Sequence, residues 1–293
     1  MRVDHSITDG RIVAVIKAQG AELRSLRDLF GTEYIWQAGP VWPRFAPVLF
    51  PIVGRLKGDQ LRHAGTIYRL TQHGFARDLT FDWVARTSDT CRLCLVDNKE
   101  TRAMYPFAFR LDLTYALADG ALAITFDVTN SGGEHLPASF GAHPAFNWPL
   151  HSGASQEAYT LTFAQDEPAP VRRLDDGLLR LEPFPTPIEG RVLKLRENLF
   201  AVDAIIMDQV VSRWVRFAAS SGPGLELSWE GFRELGLWMK PGAPFLCIEP
   251  WLGTASPVDF DGPFIEKPGI VIIPPGETRS ATIRIKIISE PLD

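Results

Sequence analysis

The sequence predicts an all-β protein folded as an antiparallel β-sandwich. Apolar and polar residues alternate in many short segments, which is the pattern of strands with one buried face. Glycine, proline and aspartate separate these segments, and no apolar run at helical spacing lasts three turns. Strands do not alternate with helices, so a parallel sheet is not indicated. Residues 1–293 are interpreted as one domain, because β-sandwiches often exceed the usual domain length.

A long antiparallel hairpin is the element with the strongest pattern. The segment 107–117 carries apolar residues at its odd positions, and the segment 122–128 carries them at its even positions. Asp119 and Gly120 between them are typical turn residues, and the second segment stops at Asn130. Each strand therefore presents one apolar face to a core.

The other predicted strands are short and are separated by turn residues. They are Arg11–Lys17, Thr66–Leu70, Thr80–Ala85, Cys91–Val96, Tyr159–Phe163, Ser212–Phe217, Leu225–Trp229, Phe245–Ile248 and Thr282–Ile288. The stretch Gln165–Asn198 is rich in proline and charged residues, and strand-like sequence continues on both sides of it. We interpret this stretch as a solvated excursion over the sheet that is in a position to wall a binding site.

Composition and charge restrict the partners of this chain. Its 293 residues are 45% hydrophobic and 22% charged, as in a soluble globular protein. A net charge of −5 supplies no basic surface for nucleic acid or for an anionic membrane. The first ten residues lack the apolar core of a secretory signal, and three cysteines do not suggest a disulfide framework. We expect a cytoplasmic protein that binds neither nucleic acid nor membrane.

Polar side chains are concentrated in four short segments of an otherwise apolar sequence. These segments are Phe50–Leu56, His73–Arg77, Gly141–Asn147 and Cys247–Trp251. They supply Arg55, His73, His143 and Glu249. One cation, two imidazoles and one carboxylate are suited to binding a polar, uncharged substrate and moving protons on it.

Each of these residues also has a purely structural interpretation. Arg55 follows a heavily apolar segment and is equally suited to a structural salt bridge. A histidine is usually a surface or core residue, but His73 and His143 lie in glycine- and proline-containing runs that the other four histidines lack. Glu249 follows the apolar run 245–248, so burial would raise its pKa and favour a general base, unless it is an ordinary ion-paired glutamate.

A metal or organic cofactor is not indicated by the motifs. Two histidines and one glutamate allow a facial triad, but no His-x-His or His-Glu-x-x-His pair occurs. Cys91 and Cys94 lie three apart in a strand pattern and point to opposite faces. No phosphate-binding glycine loop or dinucleotide fingerprint is present. The sequence predicts cofactor-free chemistry without a metal ion.

The motifs together resemble a known family. Five segments, in this order and across nearly the whole chain, are similar to the LacX-type branch of the aldose 1-epimerases, or galactose mutarotases: Tyr34–Gln37, Pro47–Leu56, Gln72–Asp78, His143–Asn147 and Cys247–Trp251. The resemblance implies a galactose mutarotase-like antiparallel β-sandwich. It also implies a monosaccharide substrate whose α and β anomers are interconverted.

The resemblance assigns a role to each polar residue. It implies that Glu249 is the base that removes the anomeric proton, and that His143 is the acid that protonates the ring oxygen. The hemiacetal then opens, the C1–C2 bond rotates, and the ring closes on the other face. Arg55 and His73 would hold the substrate. An aspartate that binds sugar hydroxyls is matched best by Asp203.

Some positions leave alternatives open. Asp208 competes with Asp203 for the aspartate role. Better-studied galactose mutarotases carry His-x-Tyr-Phe-Asn at 143–147 and Gly-Gly at Gly74-Phe75, so the sugar specificity of this chain is expected to differ.

Three other functions fit the same residues. A sugar-sensing module without turnover fits the fold, although retention of His143 and Glu249 argues against it. A glycoside-cleaving enzyme would need a second carboxylate, such as Asp203, about 5–9.5 Å from Glu249. A hexose 6-phosphate is an alternative substrate because several arginines lie near the segments: Arg44, Arg55 and Arg77.

Overall fold

Almost all regular structure in this computed structural model, which describes residues 4–288, is β-strand. The strands of the first half are β1 His5–Thr8, β2 Ile12–Ile16, β3 Leu23–Asp28, β4 Val48–Leu49, β5 Gln60–His63, β6 Thr66–Arg69, β7 Asp82–Arg86, β8 Thr90–Val96, β9 Phe109–Ala118, β10 Ala121–Asn130, β11 Leu136–Ala138, β12 Phe140–Ala142 and β13 Ala145–Asn147. Those of the second half are β14 Thr160–Phe163, β15 Leu174–Asp175, β16 Leu178–Leu179, β17 Val192–Lys194, β18 Ile205–Met207, β19 Trp214–Ala218, β20 Gly224–Glu230, β21 Glu234–Trp238, β22 Phe245–Leu252, β23 Val271–Ile273 and β24 Thr278–Ile288.

In the part of the chain that the structure describes, helical structure is confined to single turns. One α-helical turn, α1, spans Lys99–Arg102, and the 3-10 turns are Lys57–Asp59, Ala76–Asp78, Gln156–Ala158, Glu197–Phe200 and Phe264–Glu266. Within residues 4–288, every helix is too short or too polar to cross a membrane.

Two large antiparallel sheets form the architecture. The larger sheet has nine strands in the order β17-β14-β19-β20-β24-β10-β9-β8-β7. The smaller has the order β18-β21-β22-β12-β4, and β13 also pairs with β22. Among the described residues, a three-stranded sheet, β1-β2-β3, and three two-stranded ribbons complete the sheets: β5-β6, β11-β23 and β15-β16.

Alternating apolar residues of the two large sheets meet in one core. Phe126 of β10 lies 6.2 Å, centroid to centroid, from Phe140 of β12, so the facing sheets are in direct aromatic contact. The inward residues Leu113, Ile248 and Ile285 are fully buried in the same cluster. Face-to-face packing of two sheets through alternating side chains defines a β-sandwich, and the predicted fold class is confirmed.

Most predicted strands occur within a few residues of their expected positions, and three differences affect the interpretation. The strand predicted at 245–248 continues to Leu252, so Glu249 lies inside β22 rather than beyond its end. The stretch Gln165–Asn198 contains β15, β16 and β17, and β17 is an edge strand of the nine-stranded sheet. The strands β1, β3, β18 and β21 are among those not predicted, because their short segments lack a clear alternation.

Candidate active site

A cavity of about 480 Å³ lies on the face of the six-stranded sheet opposite the sandwich core. Its lining combines aromatic and aliphatic side chains with a few polar ones: Trp42, Val53, Gly54, Gln72, His73, Arg77, His143, Leu174, Phe200, Ala201, Asp203, Ala204, Ile206, Trp238, Pro241, Glu249, Trp251 and Ala255. The size and the mixture of groups are typical of a small-molecule site. Leu174 comes from the excursion 165–198, which therefore walls the cavity.

Strand β22 places Glu249 in this cavity through the period of two that all strands share. Leu246 and Ile248 point into the sandwich core. The alternate residues Cys247, Glu249 and Trp251 point to the other face, where Glu249 and Trp251 line the cavity. All eight residues of the strand are buried, so the carboxylate is held on a rigid support.

Two glycines make room for the indole of Trp251 on the cavity floor. A Cβ at Gly236 of β21 would lie 2.3 Å from Cη2 of this ring, and a Cβ at Gly141 of β12 would lie 2.7 Å from its Cδ1. Gly236 is also paired directly with Glu249 across the two strands. The neighbouring strands therefore need glycine at both positions for the ring to lie flat on the sheet.

Aromatic rings fix the imidazole of His143 between β12 and β13. The ring of Trp42 stacks on it at a centroid distance of 5.3 Å, and Trp238 meets it edge-on at 5.7 Å. The backbone N–H of His143 donates to the carbonyl oxygen of Pro47 at 3.0 Å. His143 is only 8% exposed, and this burial lowers the pKa of its imidazole to about 3.

Glu249 and His143 form the central contact of the cavity. Oε2 of Glu249 lies 3.3 Å from Nε2 of His143, while Glu249 is 1% exposed. Burial raises the pKa of the Glu249 carboxyl well above its ordinary value, and the negative charge of Asp203 raises it further. These shifts favour a pair in which both groups are neutral. The carboxyl group of Glu249 then carries the shared proton, and the imidazole of His143 is not protonated to imidazolium.

His73 presents a hydrogen-bond donor to the cavity. The backbone N–H of Gly54 donates to the ring atom Nδ1 of His73 at 3.2 Å. The backbone N–H of His73 donates to the carbonyl oxygen of Gly54 at 2.7 Å. An imidazole that accepts at Nδ1 is neutral and carries its proton on Nε2. Burial lowers the pKa of His73 well below its usual value, in agreement with this tautomer.

The chain bends sharply at His73. Its φ of +65° lies in the left-handed region, and Gly74 follows with a φ of +69°. A Cβ at Gly74 would lie 2.2 Å from the carbonyl oxygen of Phe50, so the His-Gly turn can pack against this segment only with glycine at 74.

Asp203, rather than Asp208, lines the cavity. Its φ is +68°, and its Oδ1 accepts from the N–H of Ala204 at 2.8 Å. Arg173 donates to its backbone oxygen at 2.9 Å. Asp208 lies outside the cavity lining, with its Oδ2 3.9 Å from Nη1 of Arg172.

Arg55 is not among the described residues that line the cavity. Its Nε donates to Oδ1 of Asp59 at 2.8 Å, and its Nη1 lies 3.4 Å from Oδ1 of Asp176. This arrangement corresponds to the structural salt bridge that the sequence left as an alternative. Hydrogen bonding to Asp59 raises the pKa of Arg55.

Arg77 is the arginine that lines the cavity. Its Nη2 donates to the carbonyl oxygen of Gln72 at 2.7 Å, and its buried Nε has no hydrogen-bond partner among the described residues. Burial, together with the smaller effect of the charge of Arg44, lowers the pKa of Arg77 to about 10. Its guanidinium therefore has unused donor capacity next to His73 and His143.

Three of the lining residues are not among the predicted site residues. Arg77 is one of several arginines near the polar segments, Trp42 lies outside those segments, and Trp238 lies on a strand that was not predicted. The signal for Arg77 was its place four residues after His73 in a short polar segment. Trp238 carries no local signal, because it reaches the site through the pairing of β21 with β22.

Comparisons with known proteins identify the family of this chain. Residues 4–286 match the family model described as aldose 1-epimerase. The chain is 32% identical to the plasmid-encoded protein LacX of Lactococcus lactis subsp. lactis, in an alignment of 290 positions that covers 93% of this chain and 95% of that protein.

Solved structures give the same result. A galactose mutarotase related enzyme from Lactobacillus acidophilus is 32% identical, with a TM-score of 0.90 over 98% of both chains. A galactose mutarotase-like protein from Lactobacillus casei ATCC 334 is 28% identical, with a TM-score of 0.91 over 98% of this chain and 100% of that one. The chain belongs to the aldose 1-epimerase family, as its motifs predicted, and this membership implies a sugar substrate.

Proposed function

We propose that this protein is a mutarotase that interconverts the α and β anomers of an aldohexose, with Glu249 as the base and His143 as the acid. The contact between Glu249 and His143 on the floor of the cavity is the observation that carries the proposal. The anomeric hydroxyl oxygen and the ring oxygen of a pyranose are bonded to the same carbon. An acid and a base 3.3 Å apart are therefore placed to serve both oxygens at once.

The proton inventory of the pair suits a reaction that needs one acid and one base. The pKa of Glu249 is raised and the pKa of His143 is lowered, so the pair holds one proton over a wide pH range. Transfer of that proton from Glu249 to His143 produces the carboxylate base and the imidazolium acid. Ring opening then moves one proton from the sugar to Glu249 and one from His143 to the sugar, and closure reverses both transfers.

The remaining polar groups are placed to hold the sugar during this reaction. His73 offers its Nε2–H, Arg77 offers its guanidinium, and Asp203 offers a carboxylate to hydroxyl groups. Trp42, Trp238 and Trp251 add aromatic surface, which packs well on the apolar faces of sugar rings. We assign substrate holding to Arg77, because Arg55 is engaged by Asp59 and Asp176.

A hexose 6-phosphate is the second candidate substrate. Arg44 lies close enough to lower the pKa of Arg77, and each guanidinium is near the carboxylate of Asp78. Two arginines sharing one carboxylate leave positive charge at this side of the cavity, which favours an anionic substituent on the sugar.

Anomer interconversion measured by saturation-exchange NMR tests the proposal. The purified protein is given glucose, galactose and their 6-phosphates in a weakly buffering solution. We expect faster exchange with at least one sugar, and a loss of about 10²–10⁴-fold in turnover with Glu249→Gln while the sugar still binds. The ranking of the four sugars separates the neutral substrate from the phosphorylated one.

Two results would point to other functions. Sugar binding without faster exchange in the unaltered protein would favour the sensing module. Release of nitrophenol from a nitrophenyl glycoside would favour glycoside cleavage. Full activity of Glu249→Gln would overturn the assignment of the base.

A further inference from the structure

A third potential metal ligand lies beside the pair of Glu249 and His143. Cys247 precedes Glu249 by two residues on β22 and therefore points to the same face of the sheet. One ligand atom from each of Cys247, His143 and Glu249 lies within 4.8 Å of the other two. All three residues are buried.

The carboxylate oxygen that faces this group lacks a hydrogen-bond partner within residues 4–288. It is Oε2 of Glu249, which is 1% exposed and lies 3.3 Å from Nε2 of His143. Buried polar atoms are almost always paired, so an unpartnered carboxylate oxygen beside an imidazole and a thiol indicates a place for a ligand. No local motif indicates this group, because His143 is about a hundred residues distant and reaches Cys247 only through the pairing of β13 with β22.

The chemistry and the spacing of the donors favour a particular class of ion. A thiolate, an imidazole and a carboxylate suit Zn²⁺ and related borderline ions, whereas Mg²⁺ and Ca²⁺ prefer oxygen ligands alone. Tetrahedral Zn²⁺ with bonds of about 2.0–2.3 Å holds its ligand atoms about 3.3–3.8 Å apart. The contact between Glu249 and His143 already measures 3.3 Å, and small side-chain movements bring the thiol into this range.

We propose that Cys247, His143 and Glu249 form a reversible inhibitory site for Zn²⁺ or a similar ion, with its fourth coordination position open to the cavity. Binding occupies the lone pairs of Glu249 and His143 and releases the thiol proton of Cys247. The ion therefore acts as an inhibitor and not as a cofactor. A resident site would hold its imidazole through a hydrogen bond at the other ring nitrogen, and His143 has no such partner among the described residues.

Titration with Co²⁺ tests binding independently of any catalytic activity. The full chain is stripped of metal with a chelator, kept reduced and titrated with Co²⁺ alone. We expect the near-ultraviolet charge-transfer band of a thiolate–Co²⁺ bond together with the visible bands of tetrahedral Co²⁺. Both should saturate at one equivalent and disappear when Zn²⁺ is added.

Variants identify the ligands. Cys247→Ser should remove the charge-transfer band. It should also weaken Co²⁺ binding by more than about 10-fold, because changing a residue that only supports a ligand already costs about that much. Cys94→Ser is the matched control, because Cys94 is also a buried free cysteine but lies outside the group. If Cys247→Ser fails to fold, His143→Asn takes its place in the test. This variant should weaken Co²⁺ binding by a similar factor.

The outcomes separate this proposal from the proposed function. Absence of the charge-transfer band in the unaltered protein, or its persistence in Cys247→Ser, would overturn the metal site. Inhibition of anomer exchange by Zn²⁺ rests additionally on the proposed mutarotase activity. A protein that shows the cobalt bands but never accelerates exchange would retain the metal site and lose the proposed function.

Discussion

The two faces of strand β22 have opposite properties on the same backbone. Leu246, Ile248 and Leu252 point into the sandwich core and are completely buried among apolar neighbours. The other face carries Cys247, Glu249 and Trp251, with a raised carboxyl pKa and unpartnered polar atoms. One face lowers the free energy of the folded state, whereas the other contains groups whose burial raises it.

This contrast explains how a buried carboxylate is tolerated. The core side of β22 and its pairing with β21, β12 and β13 hold the strand in place whatever the cavity side contains. Reactive groups are then positioned by packing that they do not themselves supply. Substitutions on the two faces should therefore change different properties.

The largest expected effect on stability comes from the core face. Ile248→Ala should destabilise the protein by about 2–5 kcal/mol, because it leaves a cavity between the two sheets. Chemical denaturation measures this loss. Turnover per folded molecule should change little, in contrast with Glu249→Gln. Equal losses of turnover in the two variants would show that the two faces are not independent.

Replacing a glycine beneath the cavity should cause a smaller loss of stability and should also weaken sugar binding. A methyl group at Gly236 would displace the indole of Trp251, so Gly236→Ala should cost about 1–3 kcal/mol and weaken sugar binding. Thermal unfolding and titration of the tryptophan fluorescence with sugar measure the two effects. Gly133→Ala is the control, because a Cβ there meets nothing within 4 Å. Unchanged sugar affinity in Gly236→Ala would contradict the role of Trp251.

Two arginines provide the next comparison. Arg77→Gln should lower kcat/KM by about 10- to 150-fold, the range expected for losing a charge-assisted hydrogen bond to the substrate. Arg55→Gln should leave kcat/KM unchanged, because its guanidinium pairs with Asp59 and Asp176. Anomer-exchange kinetics of both variants show which of the two arginines holds the substrate. The reverse order would restore Arg55 to the substrate-holding role that the family resemblance implies.

The smallest expected effect concerns the pH dependence of stability. The pKa of Glu249 is raised in the folded chain, so its contribution to stability is lost as pH rises above the ordinary carboxyl value of 4.5. The amide introduced by Glu249→Gln does not titrate. The midpoint of thermal unfolding of this variant should therefore rise relative to that of the unaltered protein as pH increases from the ordinary carboxyl value of 4.5 through neutrality.

The titration of His143 does not obscure this measurement. The lowered pKa of His143 acts in the opposite direction, removing stability as pH falls below about 6.5, and it is present in both proteins. A midpoint difference that is constant with pH would contradict the burial of Glu249.

Much of the fold was predictable because strand patterns are local. The hairpin of β9 and β10, the alternation within β22 and the turn residues between strands are all visible in short windows of sequence. The residues around His143 and Glu249 mark these two as site residues within equally short windows. Their proximity was not predictable, because it depends on the pairing of strands about a hundred residues apart.

The sequence by itself determined the fold class, the family and the polar segments that supply the cavity. These follow from alternation, turn chemistry and motifs that are complete within a few residues. Tertiary structure alone decided that Arg77 and not Arg55 lines the cavity, that Asp203 and not Asp208 does so, and that Cys247 joins Glu249 and His143. The physical reason is that burial, charge pairing and donor spacing arise between distant strands, and no local pattern encodes which of two nearby side chains will meet them.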